Sequence, residues 1–355
     1  MPLLLTAQVT NPVSPVVAYS DPTSGWFIGN PSLVILPNGW YVASHDKWQW
    51  EPTAFESTSI YVSKDRGNTW QYTSRLNGQI CSDLFLVNNV LYTMGINRSW
   101  REGLNAITIC KSTDNGASWT NPVSLTPAGG YWGTPATSTI IFQNRLWKAG
   151  EYSDTADVFP LPNQTFIMNA DVSSNLLSPA SWKFSNKLPF PADKFPGCSA
   201  WLEPSIFTDG TTVNVMARLQ SDTTPNKGAL LWASSQTAIQ VTGFRDFPGG
   251  MSKFTIQYDS VSAKYWSLTN NVTNPDNVNQ RNIITLIWSM NRRDWFISKT
   301  LIELPGDDTQ VAAQYLDWQF DGDDIIAVSR TAWDGAHNYH DANYMTFHRF
   351  KDFRN

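Results

Sequence analysis

The 355-residue chain is poor in charged residues, and this shortage limits the partners it can have. Aspartate, glutamate, lysine and arginine make up only 15% of the sequence, and the formal net charge is −5. An acidic chain is poorly suited to bind nucleic acid or an anionic membrane, because both attract positive patches. No apolar run approaches the roughly 20 residues that cross a bilayer. The sequence therefore predicts neither a nucleic-acid partner nor a membrane partner.

Cysteine is scarce as well, which limits redox and metal chemistry. Cys81, Cys110 and Cys198 lack the paired spacing of a zinc site, so they predict core thiols with at most one disulfide. We expect no required cofactor and no metal in the reaction. The sequence leaves room for a structural calcium ion, since oxygen ligands outside EF-hands follow no motif.

Aromatic residues, in contrast, are abundant, with 17 tryptophans, 12 tyrosines and 18 phenylalanines. We expect most of them to fill strand faces and a few to line a sugar-binding cleft, because aromatic rings stack on the apolar faces of pyranoses. Helical periodicity is almost absent, while short apolar runs separated by turn residues recur along the whole chain. These patterns predict an all-β protein.

Two copies of one eight-residue pattern identify the kind of β-fold. Residues 63–70 read SKDRGNTW and residues 112–119 read STDNGASW, 49 residues later. In this S-x-D-x-G-x-(T/S)-W pattern, the Asp-box, the aspartate and serine side chains bond backbone in the turn, and glycine takes a positive φ. A degraded copy spans residues 289–295. Two matches at a blade-sized spacing predict a sialidase-type Asp-box β-propeller.

Six repeated units can be counted, each with an apolar strand, a turn, an aromatic-rich strand, a loop, a third strand and a hairpin. We expect residues 1–30 to supply a closing strand to the last unit. Residues 152–204 are long enough to contain a seventh unit. Since a closed ring has no internal boundary, residues 1–355 are predicted to form one domain. The units begin at Leu33, Asp83, Ser138, Pro204, Lys253 and Asp317.

Polar and charged residues recur where the second strand of a unit ends. In a propeller these strand ends converge on a central funnel, so we expect their side chains to form a ligand site. The imidazole of His45 suits a general acid/base, whereas His348 on the last strand is expected to be structural. The candidate residues at these ends are His45, Asp46, Lys148, Glu151, Arg218, Asn270, Arg330 and Asp334.

Seven segments carry a resemblance to a known family: PSLVILPNGWYVASHD, STSIYVSKDRGNTW, RLWKAGE, FPGGMSKFTIQYD, KYWSLTNN, LDWQFDGDDIIAVSRTAWD and HDANYMTFHRFKDFR. The chain resembles sialidase-like propellers that act on rhamnosyl-glucuronate ends, namely L-rhamnose-α-1,4-D-glucuronate lyases and related α-L-rhamnosidases. More distantly it resembles ulvan lyases. The resemblance implies seven blades, one more than can be counted.

The resemblance also implies roles for individual residues. It makes His45 the key catalytic group, with Lys148, Tyr131, Arg218 and Arg330 around the substrate. The chain departs from the family pattern at Trp132, where the family has histidine, and at Lys148, where it has arginine, so the bidentate fork is lost. The expected substrate-binding residues are Asp46, Trp132, Glu151, Lys253, Asn270, Asp334 and His340.

The expected reaction is β-elimination at the terminal rhamnose–glucuronate linkage of gum-arabic-type arabinogalactan, with His45 taking the proton and basic residues neutralising the uronate. Two alternatives to elimination stay open. One is a hydrolase that uses two of four candidate carboxylates. The other is a non-catalytic sugar-binding propeller. A true sialidase is less favoured, because no arginine precedes Arg66. Three glycosylation sequons favour a secreted protein, which we expect to be a monomer. The four candidate carboxylates are Asp46, Glu151, Glu203 and Asp334.

Overall fold

The computed structural model describes residues 15–50, 57–127, 129–156, 163–195 and 197–355. In this part of the chain there are 26 strands in six antiparallel sheets and no α-helix. Neighbouring sheets pack through their innermost strands, and the first sheet contacts the last, so the sheets close into a ring. The chain is therefore a six-bladed β-propeller of the sialidase type.

Strands are numbered in chain order, and the first one, β1 (Val16–Tyr19), precedes blade 1. Blade 1 contains β2 (Phe27–Ile35), β3 (Tyr41–Trp48), β4 (Ser57–Ser63) and β5 (Gln71–Asn77). Blade 2 contains β6 (Ile80–Val87), β7 (Val90–Ile96), β8 (Ile107–Ser112) and β9 (Val123–Ser124). Blade 3 contains β10 (Tyr131–Gly133), β11 (Ile140–Phe142), β12 (Arg145–Ser153), β13 (Gln164–Asp171), β14 (Trp182–Phe184) and β15 (Leu188–Pro189).

The second half of the ring is more regular. Blade 4 contains β16 (Cys198–Thr208), β17 (Val213–Ser221), β18 (Lys227–Ser235) and β19 (Ala238–Asp246). Blade 5 contains β20 (Thr255–Asp259), β21 (Lys264–Thr269), β22 (Ile283–Ser289) and β23 (Phe296–Glu303). Blade 6 contains β24 (Ala312–Asp321), β25 (Asp324–Ala332) and β26 (Tyr344–Phe350). Short 3₁₀ helices span Pro22–Ser24, Trp100–Glu102, Pro179–Ser181 and Ala192–Lys194.

The blade count of six, read from the sequence, is confirmed, and the seven blades implied by the resemblance are not found among the described residues. The stretch 152–204 contains no separate blade, because its described part supplies β13 to β15 and the start of β16. The N-terminal segment supplies β1, which pairs with β26 as the outermost strand of blade 6. The expected closing strand is therefore confirmed.

The degree of burial of a strand depends on its position in the blade. The second strand β25 is buried almost throughout, because neighbouring blades cover both of its faces. The outermost strands β5 and β23 are mostly exposed, and β5 is mostly polar, whereas β23 exposes Phe296 and Ile297. The apolar layers lie between blades, where Trp201, Trp266 and Trp318 are fully buried. The large aromatic content thus goes mainly into packing blade against blade.

The Asp-box hairpins adopt the predicted geometry. In the first copy, Ser63 Oγ accepts from Gly67 N at 2.8 Å, and Asp65 Oδ1 accepts from Thr69 N at 2.9 Å. In the second copy the equivalent distances, from Gly116 N to Ser112 Oγ and from Ser118 N to Asp114 Oδ1, are both 2.9 Å. Each box joins the third strand of its blade to the outermost one.

The degraded copy keeps the hairpin with other residues. Ser289 Oγ accepts from Arg292 N at 2.8 Å, and Asn291 Oδ1 accepts from Arg293 N at 2.9 Å. Asn291 thus replaces the aspartate, and the non-glycine residue Arg292 takes the left-handed backbone with φ 67°. Trp295 is buried against blade 5 residues. The pattern is therefore a turn geometry that several residue sets can satisfy.

One buried residue from each blade lies at the centre of the ring, and we call the six residues the axial ring. Lys148 Nζ donates to Asp83 Oδ2 at 3.0 Å, linking blades 3 and 2. Ser32 Oγ donates to Asp317 Oδ2 at 2.9 Å, linking blades 1 and 6. The lysines also donate to backbone carbonyl oxygens of the 134–139 segment. The axial ring comprises Ser32, Asp83, Lys148, Ser205, Lys253 and Asp317, all buried.

The glycine of the first Asp-box has a measurable steric role. Gly67 has φ 92°, and a Cβ atom there would lie 2.3 Å from the Phe347 ring of blade 6. Gly39 has φ 82° but no neighbour within 4 Å. Both Gly→Ala variants incur backbone strain, and only Gly67→Ala adds a clash. We expect Gly67→Ala to lower the free energy of unfolding by about 1–3 kcal/mol more than Gly39→Ala, measured by denaturant titration. Equal losses would contradict this packing.

The Lys148–Asp83 ion pair predicts a difference in stability between a single and a double variant. Lys148→Met leaves the buried Asp83 carboxylate without its closest cation, so we expect the free energy of unfolding to fall by about 3–5 kcal/mol. Adding Asp83→Asn removes the orphaned charge, and the double variant should regain a large part of the loss. Denaturant unfolding of both variants tests this. A double variant no more stable than Lys148→Met would show that the charge pair is not the cause.

Candidate functional site

The same register position on the second strand of four blades carries a charged residue. These residues face the innermost strand at one end of the ring, so all four side chains are anchored at the same mouth of the propeller. The sequence placed them there because second-strand ends converge, and the register supports that placement. The paired positions are Gly29 with Asp46, Gly133 with Glu151, Leu202 with Arg218, and Gln314 with Arg330.

The innermost strands are bulged at this mouth. The register shifts in β2, β6, β16 and β24 each contain a non-glycine residue in the left-handed region. Such backbone costs on the order of 1–3 kcal/mol and is typical of functional sites, and a bulge re-aims the side chain it carries. The four residues are Asn30 (φ 41°), Cys81 (φ 52°), Glu203 (φ 46°) and Tyr315 (φ 56°).

Three arginines surround Tyr315, and we call Arg218, Arg281 and Arg330 the arginine cluster. Arg218 Nη1 donates to the Tyr315 hydroxyl at 3.0 Å. The guanidinium carbons of Arg281 and Arg330 lie 5.5 and 5.2 Å from the Tyr315 ring centroid. The Nε atom of each arginine is buried without a hydrogen-bond partner in the described part of the chain. Buried donors of this kind call for an acceptor, and guanidinium groups match carboxylates.

The cluster contains two glutamates with opposite pKa shifts. The backbone N–H of Glu203 donates to Glu151 Oε1, and Arg218 Nη1 donates to Glu203 Oε2 at 2.5 Å. Burial, with repulsion from Glu203, raises the pKa of Glu151 to about 8. Burial opposes ionisation of Glu203, but the Arg218 charge and hydrogen bonds from Arg218 and Tyr315 outweigh it and lower its pKa. At neutral pH, Glu151 is therefore an acid and Glu203 a carboxylate.

The remaining groups of the cluster keep fixed charges at neutral pH. Burial lowers the pKa of Arg330 to about 10, so the side chain remains a cation. Burial and the Glu203 charge raise the pKa of Tyr315, so its phenol stays protonated and can donate a hydrogen bond. Gln314 Oε1 accepts from Arg281 Nη1 at 2.5 Å, which fixes that arginine beside the tyrosine.

Asp46 holds the bulges of two blades rather than the arginine cluster. Its Oδ2 accepts from Asn30 Nδ2 at 2.7 Å and from Cys81 N at 2.6 Å, and Thr58 donates to Oδ1. Burial raises the pKa of this carboxyl to about 7. The amide of Asn270 likewise bonds backbone, because Nδ2 donates to Ala313 O at 2.8 Å. Both residues thus support the mouth of the ring.

His45, the sequence candidate for general base, is buried between blades 1 and 6. It lies on the same face of β3 as Ala43, which packs against blade 6. Its Nδ1 donates to Asp46 O at 2.9 Å, and its Nε2 accepts from the Tyr61 hydroxyl at 3.3 Å. Burial lowers the pKa of His45 to about 4. Only 1% of the residue is exposed, so the structure does not bring His45 to the arginine cluster.

Other candidates also lie away from the cluster. Lys148 and Lys253 belong to the buried axial ring below it. Trp132 packs in the apolar cluster between blades 2 and 3, and Tyr131 begins β10 opposite Ser153. Asp334 is exposed in the loop after β25. His340, in the same loop, is the exception, because its backbone carbonyl accepts from Arg330 of the cluster.

Sequence reasoning missed Arg281 and Tyr315 and named Glu203 only as one member of a carboxylate set. Arg281 lies outside the strands, in the segment before β22, and Tyr315 owes its position to a bulge. Glu203 and Asn30 each precede a proline, but this is not a specific signal, because Asn-Pro also occurs at residues 121–122 and 274–275.

Comparison with known proteins defines the class of fold. No protein-family model matches the chain, and no curated protein matches it in sequence. Solved structures do match: an α-L-arabinanase of Penicillium chrysogenum complexed with arabinobiose has 13% identity and a TM-score of 0.60, covering 95% of this chain and 97% of that one. The intramolecular trans-sialidase of Ruminococcus gnavus, complexed with oseltamivir carboxylate, has 11% identity and a TM-score of 0.64 over 94% and 96% of the two chains.

A sialidase of Trypanosoma rangeli, in complex with the inhibitor DANA, has 17% identity and a TM-score of 0.63. The match covers 94% of this chain and 55% of that longer one. At these identities the likeness shows the fold, a sialidase-like propeller. Among the described residues, no helix has the length and apolarity needed to cross a membrane, and no cluster of three or more histidine, cysteine or acidic residues is arranged to hold a metal ion.

Proposed function

We propose that the protein is a glycan-cleaving enzyme that hydrolyses the linkage between the terminal sugar of an oligosaccharide and the acidic sugar to which it is attached. One observation carries this proposal: Glu151 and Glu203, with pKa values shifted in opposite directions, lie together beside three arginines. Glycosidases use a pair of carboxyl groups, one protonated and one ionised, on either side of the scissile bond. This pair of carboxyl groups in opposite protonation states supports the hydrolase alternative raised by the sequence.

The arginine cluster supports an acidic substrate. Three buried cations with unpaired Nε donors favour a carboxylate, which guanidinium groups bind through parallel hydrogen bonds. A uronic acid presents this group beside its ring. The rhamnose-α-1,4-glucuronate ends of gum-arabic-type arabinogalactan, suggested by the sequence resemblance, are the substrate we propose. The solved Ruminococcus protein of the same fold was crystallised with a carboxylate ligand, oseltamivir carboxylate.

The proposed roles follow from the protonation states. Glu151, protonated at neutral pH, donates its proton to the leaving oxygen as the glycosidic bond breaks. Glu203, ionised beside Arg218, either activates the water or attacks the anomeric carbon. Tyr315 donates a hydrogen bond and helps hold the Glu203 carboxylate. The arginine cluster fixes the acidic sugar so that its linkage lies between these groups.

β-Elimination is the second candidate, favoured by the same arginine cluster. Cations around the uronate carboxylate stabilise the enediolate that forms when the C5 proton is removed. In the lyase mechanism expected from the sequence, His45 would take that proton, but its two ring nitrogens are occupied by Asp46 O and the Tyr61 hydroxyl. A general base has to reach the proton it removes. Hydrolysis is therefore the better supported reaction.

Product analysis separates the two reactions. We expect incubation with gum arabic arabinogalactan to release a reducing sugar without the near-ultraviolet absorbance of an unsaturated uronate, and Glu203→Gln to abolish release. The matched control is Glu102→Gln, an acidic residue in the 3₁₀ helix Trp100–Glu102, outside the cluster. An absorbing product would establish elimination instead. Binding of the glycan with no product from the native protein would leave a non-catalytic sugar-binding propeller.

The glutamate pKa values predict the pH dependence of the rate. Glu151 acts as an acid only while protonated, so we expect kcat/KM to fall as the pH rises through about 8. Glu203 acts only while ionised. Because its pKa is lowered, the acidic limb of the kcat/KM profile should lie below the usual pKa range of glutamate.

Glu151→Gln should remove the alkaline limb and lower kcat by about 10²–10⁴-fold. An aryl α-L-rhamnoside with a good leaving group needs less proton donation, so its hydrolysis should be lowered much less. A variant that keeps the native pH profile, or that slows both substrates equally, would remove Glu151 from the acid role.

A further inference from the structure

An aromatic surface lies next to the arginine cluster, and we call Trp48, Trp50 and His340 the aromatic wall. The ring centroids of Trp48 and Trp50 are 5.2 Å apart, and that of His340 is 5.1 Å from Trp48. The Arg330 guanidinium carbon lies 5.3 Å from the Trp48 ring centroid. Because Arg330 belongs to the cluster and touches the wall, the two surfaces are continuous.

The aromatic wall is held in place by buried groups. Asp341, fully buried, accepts from Trp50 Nε1 at 2.9 Å and from His340 Nδ1 at 2.9 Å. Trp48 lies over Gly29, where a Cβ atom would be 2.8 Å from the indole Cδ1. A single carboxylate thus orients two of the rings, and a glycine makes room for the third. Because these rings are already ordered, ligand binding does not incur the conformational-entropy cost of ordering them.

Part of this wall remains accessible. Trp50 is 48% exposed, and Trp232 is the other exposed tryptophan among the described residues, whereas the rest are half-buried or buried. Arg101 lies 4.6 Å from the Trp50 ring centroid and extends the surface toward blade 2. Burial lowers the pKa of His340 to about 3, so its ring is neutral. Since Nδ1 carries the proton shared with Asp341, Nε2 is the acceptor nitrogen, suited to a sugar hydroxyl.

We infer that the aromatic wall is a second sugar subsite, which binds the neutral pyranose linked to the acidic sugar held by the arginine cluster. This inference rests on the proposed function for the identity of the neighbouring sugar. A pyranose offers an apolar face to a tryptophan ring and hydroxyl groups at its edge. Continuity through Arg330 selects this occupant, because a sugar bound at the cluster places its linked neighbour within reach of Trp48 and Trp50.

Paired binding measurements test the subsite. In a Glu203→Gln background, which blocks turnover, calorimetry compares D-glucuronate with the rhamnosyl-α-1,4-glucuronate disaccharide. We expect Trp50→Ala to weaken disaccharide binding by roughly three- to tenfold, with glucuronate affinity retained. Trp50→Phe, which keeps a ring, should lose less. Trp232→Ala is the matched control, because Trp232 is a comparably exposed tryptophan on blade 4.

The outcomes separate the subsite from the proposed function. The subsite would be overturned if Trp50→Ala and Trp232→Ala bound the disaccharide with equal affinity. It would also be overturned if Trp50→Ala lost as much affinity for glucuronate as for the disaccharide. Trp50-dependent binding of the disaccharide without any binding of glucuronate would support the subsite and reject the role of the arginine cluster. Absence of binding by both sugars would reject both. Thermal unfolding of each variant establishes that the comparison is made on folded protein.

Discussion

The site depends on a buried charge pair at the centre of the ring. Lys148 reaches the axis because the innermost strand of blade 3 is interrupted between β10 and β11, and its ammonium meets Asp83 of blade 2 at 3.0 Å. Burial raises the pKa of Asp83 to about 6, so the carboxylate is costly to keep ionised and depends on its cation. The axial ring therefore joins blades through polar contacts at the centre of the propeller, and through the charge of Lys253 it also acts on Glu203, one of the two glutamates proposed to be catalytic.

The blades share one backbone distortion and use it for different purposes. In blades 1 and 2 the left-handed residues Asn30 and Cys81 are tied to Asp46, which fastens the two blades together. In blades 4 and 6 the equivalent residues are Glu203 and Tyr315, which meet at Arg218. Repetition thus supplies the geometry, and the residue type at each bulge decides whether the position is structural or chemical. A strained position of this kind persists only because neighbouring blades constrain it.

What the sequence predicts well is what local interactions determine. The Asp-box turns depend on side chains within eight residues of one another, so two copies were enough to define the fold class. Four of the charged residues predicted at second-strand ends share one register position, because strand register is regular. Strand parity is harder to predict, since His45 and Asp46 differ by one position and therefore face opposite sides of β3. Arg281 and Tyr315 could not be anticipated, because a loop and a bulge carry them to a site assembled from distant blades.

The charges of the arginine cluster do not balance, and this imbalance is the strongest physical argument for an anionic ligand. Three cations face two ionised carboxylates, Glu203 and Asp341, and the charge of Asp341 acts on Arg330. The raised pKa of Glu151 keeps that side chain neutral. Buried charge without a partner is costly, and each arginine also keeps an unpaired Nε donor. A ligand carboxylate would relieve both penalties at once, whereas the hydroxyl groups of a neutral sugar would accept from the Nε donors but leave the charge unbalanced. The positive charge that would hold an acidic substrate in the proposed function also lowers the pKa of Glu203, so the proposal couples recognition and catalysis through Arg218.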